Sequence, residues 1–163
     1  CALTEEMTIA LPSKLLLCHL LIKVEQAYKV CVLVIGKKSD GSDPNNPKRN
    51  ALDNPKFWTV IENTAISGDP GGDDTIQIKF VSTINMRAVS GQGAYVGDID
   101  EAGLYAYDEG DFTGIDVNNT PVSGFFALTP TPILFAYTHI SPAIAWNSGQ
   151  DATVVFEWTI VSE

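Results

Sequence analysis

The stretch that most restricts the fold is the last one, Ala152-Thr153-Val154-Val155-Phe156-Glu157-Trp158-Thr159-Ile160-Val161. It is β-branched and aromatic, and its apolar residues alternate with Thr153, Glu157 and Thr159. Period-two alternation describes a strand with one face on a core and one in water. Only Ser162 and Glu163 follow it. The expectation is a compact β-domain closed by its final strand.

Other segments read the same way. Thr4 to Leu11 suits a first strand ended by Pro12, and Leu15 to Val24 a second. Tyr28 to Ile35 is almost wholly apolar, as a strand covered on both faces would be. A helix over 14–30 is the rival, but the β-branched density of Val30-Cys31-Val32-Leu33-Val34-Ile35 favours strand in that half. Phe57 to Ile61 is a short strand. Thr75 to Phe80 places Ile76, Ile78 and Phe80 on one face and Gln77 and Lys79 on the other, and Val81 to Val89 continues it.

Gly36 to Pro55 is a long polar loop, with Asp, Gly, Asn and Pro supplying turn chemistry throughout and a short helix as an option near Arg49 to Asp53. Gly91 to Gly124 reads as a loop-rich excursion holding a short strand at Gly103 to Tyr107. Phe125 to Leu128 and Ile133 to His139 are further strands, Ser141 to Gln150 a loop. The sum is an all-β, antiparallel β-sandwich of jelly-roll type with about eight strands, one domain over 1–163.

Composition bears on partners. Hydrophobic residues make up 45% of the 163 and charged residues only 18%, so part of the surface is expected to be covered by association, as a homo-oligomer. The net charge of −10 argues against the ordered domain gripping nucleic acid phosphates. Leu15 to Ile35 is interrupted by Lys23, Glu25, Gln26 and Lys29, which makes a membrane span costly. Cys1 would suit a lipid-anchored cysteine, but apolar sequence begins almost at once where a tether is normally polar. Cys18 and Cys31 sit in apolar runs and suit small core residues; an odd count of three excludes a disulfide scaffold.

No enzyme is expected. His19 and His139 lie in apolar surroundings without metal-ligand spacing, and neither a nucleophile elbow nor a phosphate loop is present. The best site candidates are carboxylate turns. Asp40-Gly41-Ser42-Asp43-Pro44 can aim two carboxylates at one hard cation, calcium being the one expected, with Asp40 and Asp43 as ligands. Gly97-Asp98-Ile99-Asp100-Glu101, Asp108-Glu109-Gly110-Asp111 and the group Asp69, Asp73 and Asp74 are similar in kind. For each, the plainer reading is a solvated acidic turn. Trp146, in a loop-like stretch beside Asn147, is the candidate platform for stacking a glycan; Trp158 is as well suited to a core.

Val32-Leu33-Val34-Ile35-Gly36-Lys37-Lys38-Ser39-Asp40-Gly41-Ser42-Asp43-Pro44 resembles the shell domain of small icosahedral RNA virus coat proteins of the tombusvirus and sobemovirus group. There an apolar strand leads into a loop carrying Asp-x-x-Asp-Pro. Gly149 to Ile160 resembles the closing strand of the same family. The resemblance implies a capsid subunit of a virion in which Asp40 and Asp43 help bind calcium between subunits. Two alternatives stand beside it. One is a subunit of an extracellular or cell-surface filament or pilus, whose segment Ala2 to Leu11 adds as a strand to a neighbour. The other is a carbohydrate-binding module or lectin using Trp146.

Overall fold

The computed structural model describes residues 28–68, 76–108 and 112–161. Among them are seven strands: β1 (Tyr28–Gly36), β2 (Pro55–Val60), β3 (Asn63–Ser67), β4 (Gln77–Asn85), β5 (Val96–Asp108), β6 (Ile133–Asn147) and β7 (Thr153–Val161). One short helix, α1 (Val122–Phe126), and two 3-10 turns complete them. The strands form two antiparallel sheets, one ordered β2-β1-β5-β6 and one ordered β3-β4-β7. The expected strands Thr4 to Leu11 and Leu15 to Val24, together with His19, Cys18 and the group Asp69, Asp73 and Asp74, lie outside the described residues. So do Glu109 and Asp111.

The centre of the four-stranded sheet, in β1 and the second half of β5, is buried on both faces. Residues opposite one another in a ladder share a face. Leu33 faces Leu104, and Ile35 faces Phe57 on one side and Ala102 on the other. These pack with Phe80, Ile84 and Met86 into the cluster between the sheets. On the opposite face Val34 lies against Trp58 and Gly103, and Val32 against Tyr105. That face is covered by Leu52 from the loop after β1 and by Phe125, Phe126 and their neighbours in the segment 112–128. Trp58 stacks on Phe125 at 4.9 Å, and Tyr105 meets the same ring edge-on at 5.8 Å. Double burial explains why β1 and the second half of β5 read as near-continuous apolar runs.

The three-stranded sheet is covered differently. Its inner face carries the rows Ile84–Val154, Ser82–Phe156, Thr64–Phe80–Trp158 and Ile66–Ile78–Ile160. The first rows sit over the other sheet, where Ile84 and Phe80 are buried. In the last row Ile78 and Ile160 still pack against that core, whereas Ile66, at the β3 end, belongs to the inner face yet is 74% exposed. The outer face is mostly polar, with Lys79 and Glu157 paired at 3.1 Å and Val155 and Val161 standing out exposed. Between β6 and β7 the sandwich opens as a groove of about 470 Å³ lined by Leu33, Ala102, Ile140, Ile144, Val154 and Phe156.

Several expectations need correction. β5 is not a short strand in a loopy excursion but thirteen residues long and central, pairing with both β1 and β6. β6 runs through the expected loop Ser141 to Gln150 as far as Asn147. Pro142 is tolerated there because β6 is the last strand of its sheet among the described residues, where a missing N–H breaks no ladder. Trp146 therefore lies on a strand rather than in an exposed loop. It is 1% exposed and stacked on Phe57 at 4.9 Å, so it offers no platform to a glycan. Phe125 to Leu128 is not a strand: Phe125 and Phe126 end helix α1, whose turn presses Phe125 into the outer cluster. Arg49 to Asp53 is irregular chain with bends rather than a helix. β4 stops at Asn85 and Ala88–Gln92 is a 3-10 turn, because the Asn85 side chain accepts the Arg87 and Ala88 amides and turns the chain.

Candidate functional site: a loop pinned by three carboxylates

The residues between β1 and β2 fold back over the outer face of the four-stranded sheet. The base closes where Lys37 N donates to Asn54 O at 3.0 Å. Within the loop, Asp43 Oδ1 accepts the Asn45 amide at 2.9 Å and Asn46 Oδ1 the Lys48 amide at 3.0 Å. These are the side-chain-to-backbone turns that Asp and Asn favour. Two glycines permit the close approach. A Cβ on Gly36 would collide with the Asn54 carbonyl and sit 2.9 Å from Glu101 Oε1. On Gly103 it would stand 2.5 Å from Leu52 Cδ1.

Three carboxylates pin this loop. Glu101, wholly buried, shares a row with Gly36 and His139. Its Oε2 accepts the Asp53 amide at 3.0 Å and the Tyr137 hydroxyl at 2.8 Å, and its Oε1 the Asn54 amide at 2.8 Å. A buried carboxylate is tolerable only when paired or hydrogen-bonded in this manner. Asp100 falls where the β5–β6 register jumps from Ile99↔Ile144 to Glu101↔His139. It accepts Lys37 Nζ at 2.7 Å and the Lys38 amide at 2.6 Å. Burial alone would raise its carboxyl, and those two donors hold it below the ordinary value. The hydrogen bond to Asp100 in turn raises Lys37. Asp53, on the returning limb, accepts Arg49 Nη1 at 2.8 Å and the Ser39 amide at 3.0 Å. Burial pushes Asp53 up, but hydrogen bonds from Ser42, Arg49 and Ser39 outweigh it and hold the group at about 2.

Ser42 is the node where loop and sheet meet. Its Oγ lies 2.9 Å from Arg49 Nη2, 3.2 Å from Tyr137 Oη and 3.2 Å from His139 Nε2. The Arg49 guanidinium stacks 3.9 Å over the Tyr137 ring. Burial, with Glu101 alongside, holds the Tyr137 phenol well above its ordinary value. A hydroxyl has one proton and two lone pairs. Here they are contested by Arg49, Asp53, Tyr137 and His139, which fixes Ser42 as a structural tie.

Of the residues singled out in the sequence, Asp40 and Asp43 are both exposed on this loop. One Asp43 oxygen is engaged by Asn45, and its carbonyl accepts Arg49 Nη2 at 3.2 Å. Among the described residues no group of three or more His, Cys, Asp or Glu is gathered to hold a metal. Asp98 and Asp100 both turn toward Lys37, at 3.9 and 2.7 Å. Tyr137 is the residue that sequence reasoning passed over, and Glu101, named there within an acidic turn, stands instead as a buried anchor on β5. For Glu101 the available signal was a carboxylate one step before the apolar run Ala102 to Tyr107, two positions from Gly103 and hence on the same face of the strand as that glycine. Comparison with family models, with curated proteins and with solved structures gives no match.

Proposed function

We propose that this chain is a self-assembling structural subunit, in its simplest form a capsid protein of a virion. The observation that carries the reading is Ile66, which shares the inner face with the packed Ile78 and Ile160 yet is 74% exposed at the β3 end of the row. Large residues left uncovered on an inner face are satisfied when a sister molecule supplies the missing cover. The pinned loop fits the same role. It holds Asp40 and Asp43 on a rigid support, where a calcium ion bridging two subunits would draw its remaining ligands from a neighbour. In this reading the two antiparallel sheets belong to a sandwich of jelly-roll type with about eight strands. A filament subunit is the second reading, favoured by the open edge of β7.

Negative-stain electron microscopy of the purified full chain tests this. Closed shells of uniform size are expected, and Ile66→Asp is expected to abolish them while leaving the circular dichroism spectrum unchanged. Long fibres instead of shells would select the filament. A monomer at high concentration with calcium present would refute assembly. Chelator, or Asp40→Asn with Asp43→Asn, is expected to loosen the shells; indifference to both would remove calcium from the account.

A further inference from the structure

We propose that β7 is a docking strand for β7 of a second copy. Two copies related by a two-fold axis join antiparallel, giving one continuous sheet ordered β3-β4-β7-β7-β4-β3. The inference rests on the self-assembly reading and names the contact through which it acts.

The sheet edges differ in how they are protected. A sheet edge leaves backbone N–H and C=O groups unpaired, and proteins that must stay apart blunt such edges. Among the described residues the two sheets have four edges, and three of them are blunted. On β2 the Gln92 side chain takes the place of a neighbouring strand: its Oε1 accepts the Trp58 amide at 3.1 Å and its Nε2 donates to the Trp58 carbonyl at 2.8 Å. β3 is only five residues long. β6 carries Pro142 beside its register jump. β7 has none of these devices. It pairs with β4 through nine uninterrupted positions and contains neither Pro nor Gly. It is the last strand of its sheet among the described residues.

Charge points to a copy of itself as the occupant. The single charged side chain on β7, Glu157, is already matched by Lys79 on β4. Two β7 strands therefore bring no net repulsion, provided the two Glu157 do not stand directly opposite. A two-fold axis at Val155 meets that condition. It sets Val155, 59% exposed in the single chain, against its own copy, and it sets each Glu157 against a Thr153 hydroxyl. On the inner face the same register places each Val154 beside a Phe156, continuing the rows Ile84–Val154 and Ser82–Phe156 across the junction. Such an isologous contact is the commonest way for identical chains to pair.

The test uses the full chain with Cys1, Cys18 and Cys31 changed to Ser, carrying either Val155→Cys or, as a control on the opposite edge, Ala65→Cys. Both positions are exposed, so neither change disturbs the core. After oxidation or a short thiol-to-thiol crosslinker, Val155→Cys is expected to run mainly as a covalent dimer and Ala65→Cys as a monomer. Val155→Lys is expected to weaken association at least tenfold, since it sets two cations face to face. Shells or fibres whose Val155→Cys dimer is no more abundant than that of Ala65→Cys would overturn the docking strand and leave assembly standing. A Val155→Cys dimer without larger particles would support the docking strand and refute the coat. A chain that neither assembles nor crosslinks would overturn both.

Discussion

The two sheets are built from similar residues but meet their surroundings in opposite ways. The four-stranded sheet is packed on both faces, against the other sheet and against the loop and helix that fold over it. The three-stranded sheet is packed on one face only, and one end of that face is uncovered. Alternation follows from this. β7 alternates strictly between half-buried and exposed positions, whereas β1 and β5 are buried over long unbroken runs. The lesson is one of division of labour. Stability resides in the doubly covered sheet, and the other sheet can present apolar side chains outward without endangering the fold.

Substitutions in each sheet can break or sharpen that contrast. The largest effect is expected for Trp58→Ala. It removes the ring stacked on Phe125 and the indole N–H donated to the Thr120 carbonyl at 2.8 Å, and should cost about 4 kcal/mol in urea unfolding. Glu101→Ala comes next at about 3 kcal/mol, because the Asp53 and Asn54 amides and the Tyr137 hydroxyl lose their shared acceptor. In limited proteolysis it should also expose Lys48 and Arg49 to trypsin; an unchanged digestion pattern would mean that the loop is held by something else.

Acid should act through the same loop. The Asp53 carboxyl is held near 2 in the folded chain against an ordinary 3.8. A depressed folded-state value stabilises above the ordinary value and fades as pH falls from about 4 toward 2. The amount at stake is about 2 kcal/mol. The stability gap between the native chain and Asp53→Asn should therefore narrow over that range, with Asp100 contributing to the acid sensitivity of both. A gap constant with pH would contradict the role given to Asp53. The smallest effect belongs to the exposed end of that inner face: Ile66→Asp should change unfolding stability by under about 1 kcal/mol. A large loss there would mean that Ile66 supports the fold, and the contrast between the sheets would fail.

Much of the β framework was legible in the sequence. Tyr28 to Ile35, Phe57 to Ile61, Thr75 to Phe80 and the final stretch carry β-branched residues at the right period, and each overlaps a strand among the described residues. The failures have physical causes. β5 begins with Gly97, Asp98 and Asp100, residues that favour turns; here Asp100 leaves the ladder to bind Lys37. β6 contains Ser141 and Pro142, which argue for a loop unless the strand is known to lie at an edge. Phe125 and Phe126 have strand propensity, but one helical turn seats Phe125 under Trp58. The loop itself was evident from its turn residues. Its anchoring was not, because Glu101 binds backbone amides of Asp53 and Asn54, and a main-chain donor leaves no mark in a sequence.

The anchors of that loop are unevenly distributed. Lys37, Lys38, Asp53 and Asn54 tie down its two limbs, while Ser42 and Arg49 close the ring from within. Between Asn45 and Asn46 no side chain reaches the sheet through any of these ties. Lengthening a closed loop is cheap, about 0.6 kcal/mol for each doubling. The molecule thus carries a natural splice point: a foreign peptide inserted between those two asparagines would be displayed on a stiff pedestal while the packed rings beneath it stayed undisturbed.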